Sequence, residues 1–314
     1  MKRWFATLLV TATVLMAGAL ALLSTSPASA ADDEVVTADR AVTAAFEKGD
    51  KATINKWVDP EFTWIDTDGV MWPLREALES HVKPLVPAGG DVKVIEHKYG
   101  NVVWVQDNVG KDYAAHTWVK RDKGGWKLLQ TSEVSVHGRD YNAVRPGYVV
   151  PCINPCEFVP YKPQTENERA SLAAWMEQES GKPGMWAKHI ADNYDQRAVN
   201  TYGGPRAPKS QMVAQIAKAQ EQAAAKHEPE VATVPFLWSR WWDLGTAVVM
   251  ISVQPTYGER AYWASRVFAP LNGTWMMMES YHIYIDASPV MTAVPLDQSK
   301  DPKGLKMTSQ NTGN

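Results

Sequence analysis

The segment Tyr113–Val136, YAAHTWVKRDKGGWKLLQTSEVSV, has the pattern of a β-hairpin, with two strand-like runs on either side of a charged, glycine-containing turn. A second copy of this pattern occupies Ala261–Ile285, AYWASRVFAPLNGTWMMMESYHIYI. In both copies a tryptophan lies on each side of the turn, 8 positions apart in the first copy and 12 in the second. Because repetition of this kind indicates a duplicated structural unit, the sequence predicts two related domains.

The residues before the first hairpin predict helices followed by strands. Apolar residues recur at helical spacing over Val35–Lys48, and Asp50 is placed to cap a short helix that ends near Trp57. A strand over Glu61–Asp66 and a helix over Pro73–Val86 come next. Four strands then follow: Asp91–Tyr99, Asn101–Gln106, Tyr113–Arg121 and Gly125–His137. Helices that precede an antiparallel sheet predict an α+β fold.

The same order recurs in the second half of the chain. Helical patterns cover Glu166–Glu179 and the segment that starts at Ser210, and a short strand is predicted between them at Tyr194–Tyr202. Four further strands complete the repeat: Pro235–Trp242, Thr246–Val253, Tyr262–Phe268 and Thr274–Asp286. The second repeat is therefore predicted to have the architecture of the first.

The first repeat resembles a known family. The run FEKGDKATINKWVDPEFTWIDTDG at 46–69, followed by GNVVWV and GGW strands, is similar to the SnoaL-like, ketosteroid-isomerase-like domains of the nuclear transport factor 2-like superfamily. The resemblance in the second repeat rests on the order of elements and on the strands TAVVMISV and GTW. It implies two tandem cone-shaped α+β domains, each with N-terminal helices packed on a curved antiparallel sheet around one apolar pocket. It also implies a homodimer or an intramolecular pseudo-dimer.

The domain boundaries follow from composition. Residues 1–30 combine a basic start, an apolar run and a small-residue cleavage site, so we expect a signal peptide removed near Ala30 and export to the periplasm or medium; an uncleaved anchor is the alternative. The first domain is expected at 33–137, a proline-rich linker at 138–164, the second domain at 165–286 and a disordered tail at 287–314. The linker holds Cys152 and Cys156, which in an exported protein favour a disulfide over free thiols.

The overall charge disfavours one class of partner. The net charge is −3, and it becomes −5 without the signal peptide, so the chain has no excess of basic residues with which to bind a nucleic acid. After signal cleavage we expect no membrane association. The partner predicted for a cone-shaped pocket is a small apolar or partly polar ligand.

Asp66 is the candidate catalytic residue. The resemblance places it where ketosteroid isomerases carry the aspartate that moves a proton between carbons. The same pattern expects a tyrosine in the first helix as oxyanion donor, but Val42 occupies that position. The alternative is that Asp66 only opens the turn at Thr67-Asp68-Gly69.

Alternation along the closing strands predicts which side chains line the pockets, because neighbouring residues of a strand point to opposite faces. Counting in steps of two from Trp126 predicts that Gln130 and Ser132 face inward and that Glu133 faces water. The same count makes Glu279 an inward candidate, with pairing to a surface cation such as Arg266 as the alternative. The predicted pocket residues are Trp64, His116, Trp126, Gln130, Ser132, Trp275, Glu279 and Tyr281.

No cofactor motif is found. The seven histidines show no metal-ligand spacing, and the chain has neither a phosphate-binding glycine loop nor a G-x-S-x-G or H-E-x-x-H motif. We therefore expect no metal and no cofactor. Three hypotheses remain: a pocket protein without catalysis, an isomerase-, dehydratase- or cyclase-type enzyme with Asp66 as general base, and a non-catalytic dimerisation or interaction module.

Overall fold

The structure is a computed structural model. It describes residues 30–121, 124–135, 162–192, 199–200, 204–205, 209–226, 236, 238–256 and 259–284. The predicted signal peptide (through residue 29), the two cysteines of the linker and the predicted tail lie outside the described residues. Among the residues that are described, no helix is long and apolar enough to cross a membrane.

The first repeat folds into helices packed on one mixed sheet. Its described strands have the order β2-β1-β6-β5-β4-β3, and every pair is antiparallel except β1 with β6. The elements are α1 (Ala30–Lys48), α2 (Lys51–Trp57), β1 (Val58–Ile65), β2 (Met71–Pro73), α3 (Leu74–Glu79), β3 (Lys93–Tyr99), β4 (Val102–Val109), β5 (Asp112–Lys120) and β6 (Trp126–Ser135).

The second repeat has the same strand order in its described residues, β8-β7-β12-β11-β10-β9, again with one parallel pair between its first strand and its last. The predicted α+β class with two tandem cone-shaped domains is confirmed. The elements are α4 (Glu166–Gln178), α5 (Met185–His189), β7 (Val199–Asn200), β8 (Gly204–Pro205), α6 (Lys209–Ala225), β9 (Trp238–Asp243), β10 (Val248–Thr256), β11 (Glu259–Leu271) and β12 (Thr274–Tyr284).

Local signals set most of the helix boundaries. Asp50 caps α2 as predicted, because its Oδ1 accepts hydrogen bonds from the backbone N–H groups of Ala52 and Thr53 at 3.1 and 3.2 Å. The predicted helix over Pro73–Val86 is shorter than expected and ends at Glu79. It ends in a Schellman motif, in which His81 has a φ of 52° and Val82 N–H donates to the Ala77 carbonyl. Glycine usually occupies this left-handed position. Because histidine occupies it here, the sequence contains no clear signal for the end of the helix.

A β-bulge interrupts the closing hairpin of each repeat. In the first repeat Thr117 opposes Gln130, but the next residue, Trp118, opposes Leu128, so Leu129 is an extra residue in β6. In the second repeat the register shifts in the same way, between the pairs Val267–Glu279 and Phe268–Met277. An extra residue reverses the alternation of side chains beyond it. The prediction that Glu133 faces water is therefore wrong, and Glu133 is buried beneath the helices.

The two sheets face each other across a shared apolar core. Buried residues of both repeats form this core, among them Trp104 and Val119 of the first and Trp263 and Tyr281 of the second. The rings of Trp104 and Tyr281 lie 6.3 Å apart, and Trp263 Nε1 donates to the carbonyl of Gly69 at 2.9 Å. A separate core lies between α1, α2 and the outer face of the first sheet. Each repeat thus has one sheet face toward its helices and one toward the other repeat.

The β3–β4 turn meets the equivalent β9–β10 turn of the second repeat. Thr246 Oγ1 accepts from the Asn101 backbone N–H at 2.7 Å, and Asn101 Nδ2 donates to the Leu244 carbonyl at 2.8 Å. Gly100 has a φ of +66°, and a Cβ added there would lie 2.5 Å from the Cβ of Thr246 and 2.8 Å from its Cγ2. This close approach requires glycine at position 100.

Gly100→Ala should therefore destabilise the protein by about 2–4 kcal/mol, because overpacking adds to the strain of a left-handed residue. The matched control is Gly110→Ala, since Gly110 has a φ of +61° with nothing within 4 Å of the added Cβ. It should lose only the backbone part, about 1 kcal/mol. Urea denaturation of both variants measures the difference, and equal losses would show that the turns do not pack closely.

Candidate functional site

The site is built on the helix-facing side of the first sheet. Asp39 lies on the buried face of α1, and its carboxylate contacts two side chains of β5. Its Oδ2 is 2.9 Å from His116 Nδ1, and its Oδ1 accepts a hydrogen bond from Trp118 Nε1 at 2.6 Å. All three residues are buried. A buried carboxylate bonded to imidazole on one oxygen and to indole on the other fixes both rings in place.

Asp107 of β4 adds a second carboxylate beside this pair. It is 5% exposed, and its ligand oxygen lies within 4.8 Å of those of Asp39 and His116. The pKa of Asp107 is raised to about 6, chiefly by burial; the charge of His116 opposes the rise and the charge of Asp39 adds to it. The Oδ1 atom of Asp107 has no hydrogen-bond partner among the described residues. Asp107 therefore takes up a proton at a higher pH than an ordinary aspartate does.

Glu133 of β6 is the fourth titratable group. Its Oε2 accepts from Trp64 Nε1 at 3.0 Å, and its Oε1 accepts from the Leu85 backbone N–H at 2.7 Å. Burial raises the pKa of Glu133 to about 7, although both hydrogen bonds and the charge of His116 favour the ionised form. A carboxyl group with a pKa near neutrality can either donate or accept a proton.

The charges around His116 determine its protonation state. Burial alone would lower the pKa of this imidazole, but the charge and hydrogen bond of Asp39, followed by the charges of Asp107 and Glu133, raise it to about 9. His116 is thus an imidazolium at neutral pH. We call Asp39, Asp107, His116 and Glu133 the acid–base cluster. It combines a cation, its carboxylate partner and two carboxyl groups of raised pKa on one side of the sheet, a pattern enriched at functional sites.

Asp66, the predicted general base, lies outside the acid–base cluster and closes a turn. Its Oδ1 accepts from the backbone N–H groups of Asp68 and Val70, both at 2.9 Å, and its Oδ2 accepts from Trp72 Nε1 at 2.8 Å. These bonds hold the carboxylate against its own chain, as the turn alternative expects. Its catalytic role stays a prediction to which the geometry lends no support.

The predicted pocket residues separate into two groups. Trp64, His116 and Trp126 lie on the helix-facing side of the first sheet, and His116 is part of the acid–base cluster. Four others lie between the sheets, on the opposite side from the one predicted, because of the bulges. They are Gln130 and Ser132, which contact Ser265; Glu279, which accepts from Tyr99 at 2.5 Å and contacts His97; and Tyr281, which packs near Trp104.

The remaining predicted pocket residue, Trp275, packs at the edge of the shared core, and its carbonyl oxygen lies 2.9 Å from His189 Nδ1. Arg266, suggested as a surface partner of Glu279, is instead 3% exposed. It donates to Ser252 Oγ at 3.0 Å and to Gln254 Oε1 at 2.5 Å. The bulge in β12 places Ser280 rather than Glu279 opposite Arg266.

Strand register relates the polar residues around Arg266 to the acid–base cluster. Arg266 precedes the bulge by the same interval as His116 in the first repeat, and His282 corresponds to Glu133. Ser252, which pairs with Ala264, occupies the position of Asp107, which pairs with Ala114. The two cones therefore hold different chemistry on equivalent positions: acids in the first, and a buried guanidinium with hydroxyl groups in the second.

Sequence reasoning missed three of the four cluster residues. For Asp39 a signal existed, since it lies four residues after Val35 and three before Val42 and so shares the apolar stripe of α1. Asp107 carried no comparable signal, since the predicted strand stopped one residue before it. Glu133 was assigned to the wrong face because of the bulge.

Comparison with known proteins finds similarity of fold alone. No family model and no curated protein matches the sequence. Among the solved structures that are similar to about a third of the chain are three NTF2-like proteins. An NTF2-like protein from Cytophaga hutchinsonii is 13% identical, covering 33% of this chain and 96% of that one at a TM-score of 0.24. An NTF2-like protein of unknown function in nutrient uptake from Rhodospirillum rubrum is 16% identical, with 32% and 97% covered and a TM-score of 0.27.

The third, an NTF-2 like protein of unknown function from Burkholderia xenovorans, is 17% identical, with 33% and 84% covered and a TM-score of 0.24. The chain is similar to NTF2-like proteins, and the strand order and register of its own two sheets carry the assignment of the fold.

Proposed function

We propose that the chain is an exported protein whose first cone binds a small, partly polar molecule at the acid–base cluster. The observation that supports this is the burial of Asp39, Asp107, His116 and Glu133 together beside a largely apolar core. Burying ionisable groups gives a fold little stability, and replacing them with apolar residues is often neutral or favourable. A cluster of this kind is better explained by a ligand whose polar group it recognises.

The apolar residues around the cluster favour a ligand with a hydrophobic body. Trp64, Trp118 and Trp126 belong to the core beside the cluster, and the indole N–H groups of the first two already bond to Glu133 and Asp39. Aromatic rings held in this way present rigid apolar faces. The ligand class is therefore an apolar molecule with a carbonyl, hydroxyl or carboxyl group directed at the cluster.

A second candidate function is proton transfer on that ligand. It is favoured by the raised pKa of Glu133, about 7, next to an imidazolium held by Asp39. A group that is half-ionised near neutral pH suits general acid–base catalysis, and an imidazolium can stabilise a developing oxyanion. The enzyme hypothesis then assigns Glu133, rather than Asp66, as the proton-transferring group.

Native and denaturing mass spectrometry of the purified mature chain tests the binding proposal. We expect a native mass above that of the denatured chain by the mass of a small molecule. The same spectrum tests the intramolecular pseudo-dimer that we also propose, because that arrangement should give the mass of a single chain. A bare chain that also gives no thermal shift with a broad panel of small molecules, in the presence of EDTA, would contradict the binding proposal.

The enzyme hypothesis is tested on whatever ligand that experiment identifies. Incubation with the protein in D₂O should introduce deuterium next to the ligand's carbonyl, and Glu133→Gln should reduce the exchange rate by about 100-fold or more, the usual contribution of a general acid–base. Asp112→Asn is the matched control, because Asp112 lies at the start of β5 and bonds to Ser135. Loss of exchange in Asp66→Asn but not in Glu133→Gln would restore Asp66 as the base.

A further inference from the structure

The geometry points to a binding site for a divalent transition-metal ion of the zinc class, formed by Asp39, Asp107 and His116. This inference deepens the proposed function, since the ion would bind beside the ligand's polar group. It rests on the proposed function for that role only, because ion binding can be measured with no small molecule present.

Three separate elements supply the ligand atoms. Asp39 comes from α1, Asp107 from β4 and His116 from β5, and one ligand atom of each lies within 4.8 Å of the others. Ligand atoms about 2.0–2.2 Å from a shared Zn²⁺ ion, in tetrahedral arrangement, are about 3.2–3.6 Å apart. His116 Nδ1 and Asp39 Oδ2 are already 2.9 Å apart. The one measured distance and the 4.8 Å limit on the others therefore bracket the spacing of a zinc site, and zinc would replace the proton now held between His116 and Asp39.

The free oxygen of Asp107 is an independent indication of a missing ligand. Asp107 is only 5% exposed, so water does not readily reach its Oδ1. This oxygen has no hydrogen-bond partner within the part of the chain that the structure describes. Most buried polar atoms in proteins have a partner, and a buried carboxylate oxygen without one is costly. A cation bound among these three residues would supply the interaction that the chain does not.

The donor set selects the kind of ion. Two carboxylate oxygens and one imidazole nitrogen suit zinc and its transition-metal neighbours, whereas calcium and magnesium prefer oxygen alone. Three protein ligands leave a fourth position open, as in catalytic rather than structural zinc sites. The outer partner is also present, because Trp118 Nε1 donates to Asp39 Oδ1 at 2.6 Å and would orient that carboxylate.

The test uses the full mature chain, stripped with EDTA and titrated with Zn²⁺ by isothermal calorimetry, with the bound metal counted after dialysis. We expect a single tightly held ion per chain. Because loss of an outer partner alone weakens metal binding by about 10–100-fold, Asp107→Asn should weaken the Kd by at least about tenfold. Asp112→Asn is the matched control and should bind as the unmodified protein does, since Asp112 lies outside the three ligands.

These measurements distinguish zinc bound at the three proposed ligands from zinc bound elsewhere in the chain. Equal zinc affinity in Asp107→Asn and in the unmodified protein would overturn the inference, because the ion would then be held elsewhere. If Asp107→Asn fails to fold in EDTA, His116→Gln serves as the second variant. Replacing zinc by Co²⁺ gives a further readout, since the visible bands of tetrahedral Co²⁺ must appear in the unmodified chain and be lost in the variant. Small-molecule binding that survives in EDTA while zinc binding fails would leave the proposed function standing alone.

Discussion

Replacing Asp39 by alanine should lower the free energy of unfolding of the metal-free protein at neutral pH by about 3–5 kcal/mol, as removal of one partner of a buried ion pair does. Asp39 is bonded to both His116 and Trp118, so the change leaves an imidazolium and an indole N–H without their acceptor. Urea denaturation followed by circular dichroism measures the loss. Asp50→Ala gives the scale for a surface carboxylate and should lose much less, because it removes only an exposed N-cap.

The loss from Asp39→Ala should also depend on pH. The pKa of His116 is about 9 in the folded protein against an ordinary value of 6.5, so the ion pair stabilises fully below pH 6.5 and its contribution falls as the pH rises through 9. The variant should therefore approach the unmodified protein at high pH. In a His116→Gln background the effect of Asp39→Ala should shrink, because the two residues act together. An undiminished loss in that background would mean that Asp39 acts through Trp118 alone.

Periodic and local signals in the sequence predicted most of the architecture. The apolar spacing of α1, the Asp50 cap and the two Trp-framed hairpins were sufficient for the α+β class and for the duplication. These features depend on residues close in sequence, where spacing and burial are directly linked. The order of the predicted elements along the chain then indicated that helices precede the sheet.

The faces of the closing strands could not be predicted in the same way. Leu129 and Met278 are the extra residues of the two bulges, and nothing in their chemistry distinguishes them from regular strand residues. One extra residue moves every side chain beyond it to the opposite face. This is why Glu133 was expected in water, and why Gln130 and Glu279 were expected in the cones rather than between the sheets. Because the shift recurs at equivalent positions, the error was the same in both repeats.

The acid–base cluster shows a second limit of the sequence. Its members come from α1, β4, β5 and β6, and no motif links residues separated in this way. Asp39 was nevertheless detectable as a carboxylate on the apolar stripe of a helix. A polar residue at such a position has to find a buried partner, so it predicts a site even when the partner is unknown.

Glu133 should make the metal-free protein less stable as the pH rises from about 4.5 to 7. Its pKa is raised from 4.5 to about 7 by burial, so in this range the folded protein holds a proton that the unfolded chain releases. Stability falls with pH wherever the folded state binds more protons, and a shift of this size corresponds to about 3 kcal/mol. Asp107, with its pKa raised to about 6, should contribute in the same direction at lower pH.

Glu133→Gln removes this titration and should flatten the slope of stability against pH between 4.5 and 7. At pH 4.5 the variant should be about 1 kcal/mol less stable, because an amide has one acceptor oxygen for the two donors, Trp64 Nε1 and the Leu85 N–H. Above pH 7 it should equal or exceed the unmodified protein, since no charge is then buried at this position. Glu76→Gln is the matched control, because Glu76 pairs with Arg75 at the surface, where such pairs contribute little. Urea denaturation across this pH range gives both slopes. If the slope of stability against pH were the same in Glu133→Gln as in the unmodified chain, Glu133 would ionise as freely in the folded protein as in water. That result would contradict the assignment of Glu133 as the proton-transferring group.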